Sequence, residues 1–65
     1  MTEYMTPSGV RYQVVSATPV QTTEADGTPV TMWTVKAHRW VKSRNGFAKT
    51  ITEFSTRRFP EWSKR

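Results

Sequence analysis

Few side chains in this sequence could do chemistry. There is one histidine, His38, there are five carboxylates scattered along 65 residues, and there is no cysteine. General acid–base catalysis or metal ligation needs partners that converge on the imidazole. Cross-strand pairing brings only Glu53 toward His38, which is the pattern of an ordinary surface contact. Without cysteine a thiol nucleophile, a disulfide framework and a Cys/His zinc site are excluded. No phosphate-cradling glycine loop, dinucleotide fingerprint, H-E-x-x-H pair or acidic calcium loop occurs. The sequence thus predicts a non-enzymatic protein that binds, with no cofactor and no metal.

What remains is a set of cations interleaved with aromatic rings. The formal charge is +5, from ten Lys and Arg against five Asp and Glu. It is unevenly placed: residues 1–35 carry −2 and residues 36–65 carry +7. A field of that sign attracts nucleic acid, anionic lipid or an acidic protein surface. The candidate contacts are Lys36, Trp40, Lys42, Arg44, Lys49, Arg57 and Arg58. Cations neutralise phosphates and release counterions, and an indole exposed among them can stack on a base for about 1–3 kcal/mol. The competing structural reading makes Trp40 and Ile51 a second small core with lysine stems lying over it. Arg44-Asn45-Gly46 reads either as a basic hairpin tip that enters a groove or as a plain solvated turn.

These residues need a scaffold, and the composition points to strands. Leucine is absent and Ile51 is the lone isoleucine, while seven valines and eleven threonines dominate. β-Branched and aromatic residues suit a pleated, half-buried surface. Residues 1–8 read as a flexible lead-in ending in the turn formers Pro7-Ser8-Gly9. A first strand is expected at about 9–21, a second at 30–43 and a third at 47–57, separated by Asp26-Gly27 and Asn45-Gly46 turns. Pro19 places the first strand at an edge. Residues 58–65 form a basic and aromatic tail, extended or with one helical turn opened by Pro60.

A two-residue Asp26-Gly27 loop pairs Val20 with Trp33, Thr18 with Val35 and Tyr12 with Val41. A four-residue second loop, 43–46, pairs Lys36 with Glu53, Val35 with Phe54 and Trp40 with Lys49. One face then gathers Val10, Tyr12, Val14, Val20, Trp33, Val35, Ala37, Val41, Ala48 and Phe54. Arg39 is discordant on that face and fits an interface. The other face gathers Arg11, Gln13, Val15, Lys36, His38, Trp40, Lys42, Lys49, Ile51, Glu53 and Arg57.

The expected architecture is therefore one all-β domain over residues 1–65, a three-stranded antiparallel meander of two hairpins. A single layer needs a cover for its apolar face. The tail supplies a partial lid, so a face-to-face homodimer is expected ahead of an SH3-like or OB-like barrel. No run approaches the roughly 18 apolar residues of a membrane span, and the start lacks the basic and apolar regions of a secretory signal. A cytoplasmic protein is expected. Its leading partner is DNA or RNA. The alternative is a protein-interaction module or inhibitor, such as mobile elements encode, that docks an acidic protein.

Overall fold

The computed structural model describes residues 1–65. The chain is all-β, as the composition predicts, and contains no helix long and apolar enough to cross a membrane. Its strands are β1 (Thr2–Met5), β2 (Arg11–Thr23), β3 (Pro29–Val41), β4 (Gly46–Phe47), β5 (Thr52–Thr56) and β6 (Ser63–Lys64), with 3-10 turns at Lys42–Arg44 and Phe59–Glu61. They form one antiparallel sheet in the order β4-β3-β2-β1-β6, and β5 also pairs with β3. The meander of two hairpins is present, with an additional strand at each end of the chain.

The lead-in expected at residues 1–8 is a strand. β1 pairs with β2 from Thr2 opposite Val14 to Met5 opposite Arg11. Pro7, Ser8 and Gly9 form a hairpin loop closed by Thr6 N–H to Val10 O and Gly9 N–H to Thr6 O, both 2.9 Å. Gly9 sits at φ 94°, a conformation that side chains with a Cβ avoid. The Asp26-Gly27 turn is built the same way. Glu24 N–H bonds Thr28 O and Gly27 N–H bonds Glu24 O, both at 2.9 Å, with Gly27 at φ 87°. It is thus a three-residue loop, a turn followed by a left-handed glycine, where the sequence predicted a two-residue one.

That extra residue changes the register. Val20 pairs with Met32 and Thr18 with Thr34, where Trp33 and Val35 were expected. A bulge between Val14 and Ser16 then shifts the pairing by one, so that Val14 meets Ala37 and Tyr12 meets Arg39. Since side-chain direction has a period of two, faces invert across the bulge. Ala17 packs against the core, and Val20, expected inside, is 48% exposed on the opposite face.

The core is the apolar face closed over by the C-terminal tail. Val35 and Ala37 are fully buried, and Val14 and Trp62 nearly so. Trp62 lies flat on Tyr12, with centroids 5.2 Å apart and planes within 12°. It also touches Phe54 at 6.1 Å and Phe59 at 5.1 Å, and Phe59 reaches Tyr4 and Trp33, each at 5.2 Å. The turn around Pro60 makes this possible: Trp62 N–H bonds Phe59 O at 3.0 Å, which swings the chain across the open face. β6 then pairs with β1, Tyr4 opposite Lys64. β5 on β3 and β6 on β1 lie at opposite ends of the sheet and do not pair with each other. A face-to-face dimer is not needed to cover this face, because eight tail residues carry two large rings.

Residues 18–32 leave this body as a two-stranded arm. β1 covers β2 only at residues 11–14 and β5 covers β3 only at 33–37. The molecule measures 43 × 21 × 18 Å, with a radius of gyration of 13.1 Å against about 10.7 Å for a compact chain of this length.

Candidate nucleic-acid interface

The sheet face opposite the core carries Trp40, as the alternation predicts. Its companions differ from those expected. Lys36 pairs with Glu53 and Val35 with Phe54, the predicted register, but Trp40 pairs with Phe47 and Val41 with Gly46. Residues 48–51 bulge out between β4 and β5 and absorb the difference, so Lys49 does not lie over the indole. Phe47 meets Trp40 edge-on at 5.2 Å, and the Arg11 guanidinium lies 4.0 Å from the indole centroid. Ile51 is 53% exposed, so the competing reading of a second small core from Trp40 and Ile51 gives way to an Arg11–Trp40–Phe47 stack.

Arg11 is held from behind. Its Nε donates to Glu3 Oε2 at 2.8 Å, and Arg65 Nε lies 3.5 Å from the same oxygen. The hydrogen bond from Arg11 holds the Glu3 carboxyl below its usual range, against partial desolvation and with both guanidinium charges assisting. Asp26 is lowered as well, chiefly by the Thr28 backbone N–H that its carboxylate accepts. Folded values below unfolded ones mean a contribution to stability that is complete above the ordinary carboxylate pKa and disappears as the pH falls through the lowered values. Thermal melts from pH 7 to pH 2 should therefore show a falling midpoint on the acid side, and Glu3→Gln should flatten that fall. An E3Q profile parallel to wild type would remove Glu3 from this account.

His38 proves to be an anchor. Its Nδ1 lies 2.8 Å from Ala48 O and 3.1 Å from Thr50 O. Two carbonyls require Nδ1 to carry the hydrogen. The ring thus clamps the 48–51 bulge, and Glu53 instead faces Lys36 at 4.0 Å with both side chains largely in water.

The predicted cations separate into two groups. Lys42 and Arg44 lie in the 3-10 turn after β3, and Asn45 closes it at φ 51°, with its N–H on Lys42 O at 3.1 Å. Lys49 lies on the clamped bulge beside them. Arg39 sits three residues before Lys42 and, despite its core parity, is exposed at the end of the face that Trp62 leaves uncovered. None of these four contacts a carboxylate. Arg57 and Arg58 are elsewhere. Arg57 follows Thr56, which pairs with Trp33, seven residues from Trp40 and so about 23 Å along the strand. Its Nη2 donates to Glu24 Oε1 at 2.8 Å and ties the tail to the arm.

Sequence reasoning included Lys42, Arg44, Lys49 and Trp40, and missed Phe47 and the place of Arg39. The signal for Arg39 was present as a cation on apolar parity. For Phe47 there was none, because its pairing depends on a bulge that no residue type announces. Neither a protein-family model, nor a curated protein, nor a solved structure matches this chain, so the meaning of this surface rests on its own residues.

Proposed function

We propose that the chain is a small, non-enzymatic, cytoplasmic nucleic-acid-binding protein. Its contact surface is the sheet end bearing Arg39, Lys42, Arg44 and Lys49, with Trp40 and Phe47 as the stacking surface beside them. The observation that carries this reading is the distribution of pairing. Glu3, Glu24 and Glu53 engage Arg11, Arg65, Arg57 and Lys36; of the six cations left without an acid, four lie around one hairpin end, and the other two, Arg58 and Lys64, lie apart in the tail. Unpaired cations on a rigid turn and a clamped bulge suit phosphate oxygens. Beside them the Arg11 guanidinium covers one face of the Trp40 indole and Phe47 meets it edge-on, so a base would add to the outer rim of a stack that is already ordered.

The second reading, a protein-interaction module or inhibitor that docks an acidic protein, would use the same four cations. Titration of random-sequence DNA and RNA oligonucleotides, with polyglutamate as the competing probe, separates the two. Binding should weaken linearly in log[salt] with a slope of about −3, four phosphates at 0.7–0.9 each. No binding at low ionic strength, salt-insensitive binding, or preference for polyglutamate would overturn the nucleic-acid reading.

A further inference from the structure

Arg11 differs from every other cation in the chain. Lys36, Arg57 and Arg65 are paired, but their side chains remain about half exposed, and ion pairs of that kind open readily in water. Arg39, Lys42, Arg44 and Lys49 are exposed without a partner. Arg11 is instead fixed on three sides. Its Nε donates to Glu3 Oε2 at 2.8 Å, its guanidinium lies 4.0 Å over the centroid of the Trp40 ring, and the Phe47 ring flanks it at 5.8 Å. The strand pairing puts it there. Met5 faces Arg11, Tyr12 faces Arg39 and Trp40 faces Phe47, so Met5, Arg11, Trp40 and Phe47 form one row across four strands on the outer face.

The charge of Arg11 is already answered. A phosphate would have to compete with a carboxylate in direct contact, so this residue adds little to the field that draws a strand to the basic end. Its hydrogen-bonding capacity is not exhausted. Glu3 is the only residue that accepts from it, and does so at Nε, which leaves the Nη1 and Nη2 end of the fork without an acceptor in the protein. With 32% of the side chain exposed, that end is open to a ligand. A planar, oriented pair of donors matches two acceptors lying side by side in one plane. On the Hoogsteen edge of the bases, free in paired and unpaired strands alike, only guanine presents such a pair, O6 and N7, whereas adenine sets an amino donor beside N7. A base held at the end of the fork also lies at the rim of the Trp40 and Phe47 rings, next to the four unpaired cations.

We propose that Arg11 reads guanine, its Nη1 and Nη2 donating to O6 and N7 of a base at the rim of the Trp40 stack. Glu3 is then a positioning residue that holds the fork, and Arg11 the residue that sets base preference. The assignment rests on the nucleic-acid reading of this surface and gives it a division of labour: the unpaired cations hold any strand, and Arg11 discriminates among them.

Fluorescence anisotropy with oligothymidylate and oligouridylate strands carrying a single central guanine tests it. The guanine strand should bind wild type at least about fivefold more tightly than the same strand with adenine, cytosine or 7-deazaguanine, which has carbon in place of N7. Hypoxanthine, which keeps O6 and N7, should bind like guanine. The ratio should hold as salt rises and both affinities fall, because a base contact releases no counterions. Arg11→Lys keeps a cation without the fork and should bring the guanine to 7-deazaguanine ratio to about 1. The modified strands are read on the wild-type protein, so the result does not depend on how well the variant folds. Binding with equal affinity for guanine and 7-deazaguanine, a preference for cytosine, or an R11K ratio equal to wild type would overturn the assignment and leave the nucleic-acid reading standing. Polyglutamate that competes with the strand on wild type but not on R11K would give the fork to a protein carboxylate and overturn it as well. No binding of any strand at low ionic strength would overturn both.

Discussion

Trp62→Ala should leave most of the chain unfolded at 25 °C. Replacement of a buried tryptophan by alanine costs about 3–5 kcal/mol, and a core in a chain this short rarely supplies more than that in total. Trp62 is one of only four buried residues, and its ring is the common partner of Tyr12, Phe54 and Phe59. Its loss also removes what holds β6 against β1, including the Arg65 N–H to Glu3 O bond of 2.8 Å. Urea melts followed by near-ultraviolet circular dichroism should show no folded baseline for W62A. Trp62→Phe, which keeps an aromatic lid, should retain a cooperative transition at lower urea. A W62A melt that overlays wild type would mean that the tail is not the roof of the core.

That roof shows where the sequence was legible and where it was not. Alternation at Val10, Tyr12 and Val14 and at Val35 and Ala37 identified the core near the body of the sheet, and the Lys36–Glu53 ion pair fixed the β3–β5 register. Both signals are local and have period two. What failed was counting across turns. Glu24-Ala25-Asp26-Gly27 closes as a type I turn with glycine at its fourth position, a sequence that also satisfies the Asp-Gly rule for two-residue loops. One residue of difference inverted every side chain from Ser16 to Thr23, and the bulge at Val15 then restored the parity. Thr6-Pro7-Ser8-Gly9 has the same chemistry, proline second and glycine fourth. Read as a hairpin, it would have converted the lead-in into β1 and supplied the strand that receives β6.

The proposed contact surface draws on residue types that the sequence displays, but their grouping is not visible there. Arg57 and Lys42 both belong to the basic half, and only the strand pairing reveals that they lie at opposite ends of the sheet. Trp40 was recognised, but its neighbour was expected to be Lys49. Arg11, 29 residues earlier in the chain, takes that place because β1 delivers Glu3 behind it. A bridged arginine depends on where its carboxylate sits, and here Glu3 is brought to Arg11 by β1, which pairs with β2 through the Pro7-Ser8-Gly9 turn.

The grouping has a measurable consequence, which distinguishes the proposed surface from mere excess charge. The triple variant Lys42→Ala, Arg44→Ala, Lys49→Ala should reduce the slope of log K against log[salt] by roughly 2–3, and the affinity near 0.15 M salt by roughly a hundredfold, since each lost phosphate contact removes its own counterion release. Arg57→Ala with Arg58→Ala removes nearly as much charge and should leave the slope within one contact of wild type. Arg57 is committed to Glu24, and both arginines lie about 23 Å along the strand direction from the basic end. Trp40→Ala should act differently again, with a loss of about 1–3 kcal/mol in affinity at unchanged slope, because stacking releases no counterions. The slope thus reports the cations and the intercept reports the ring. If the 57/58 variant reproduces the triple variant, binding follows net charge and the hairpin end has no special role. If the triple variant keeps the wild-type slope, phosphate contacts lie on some other surface.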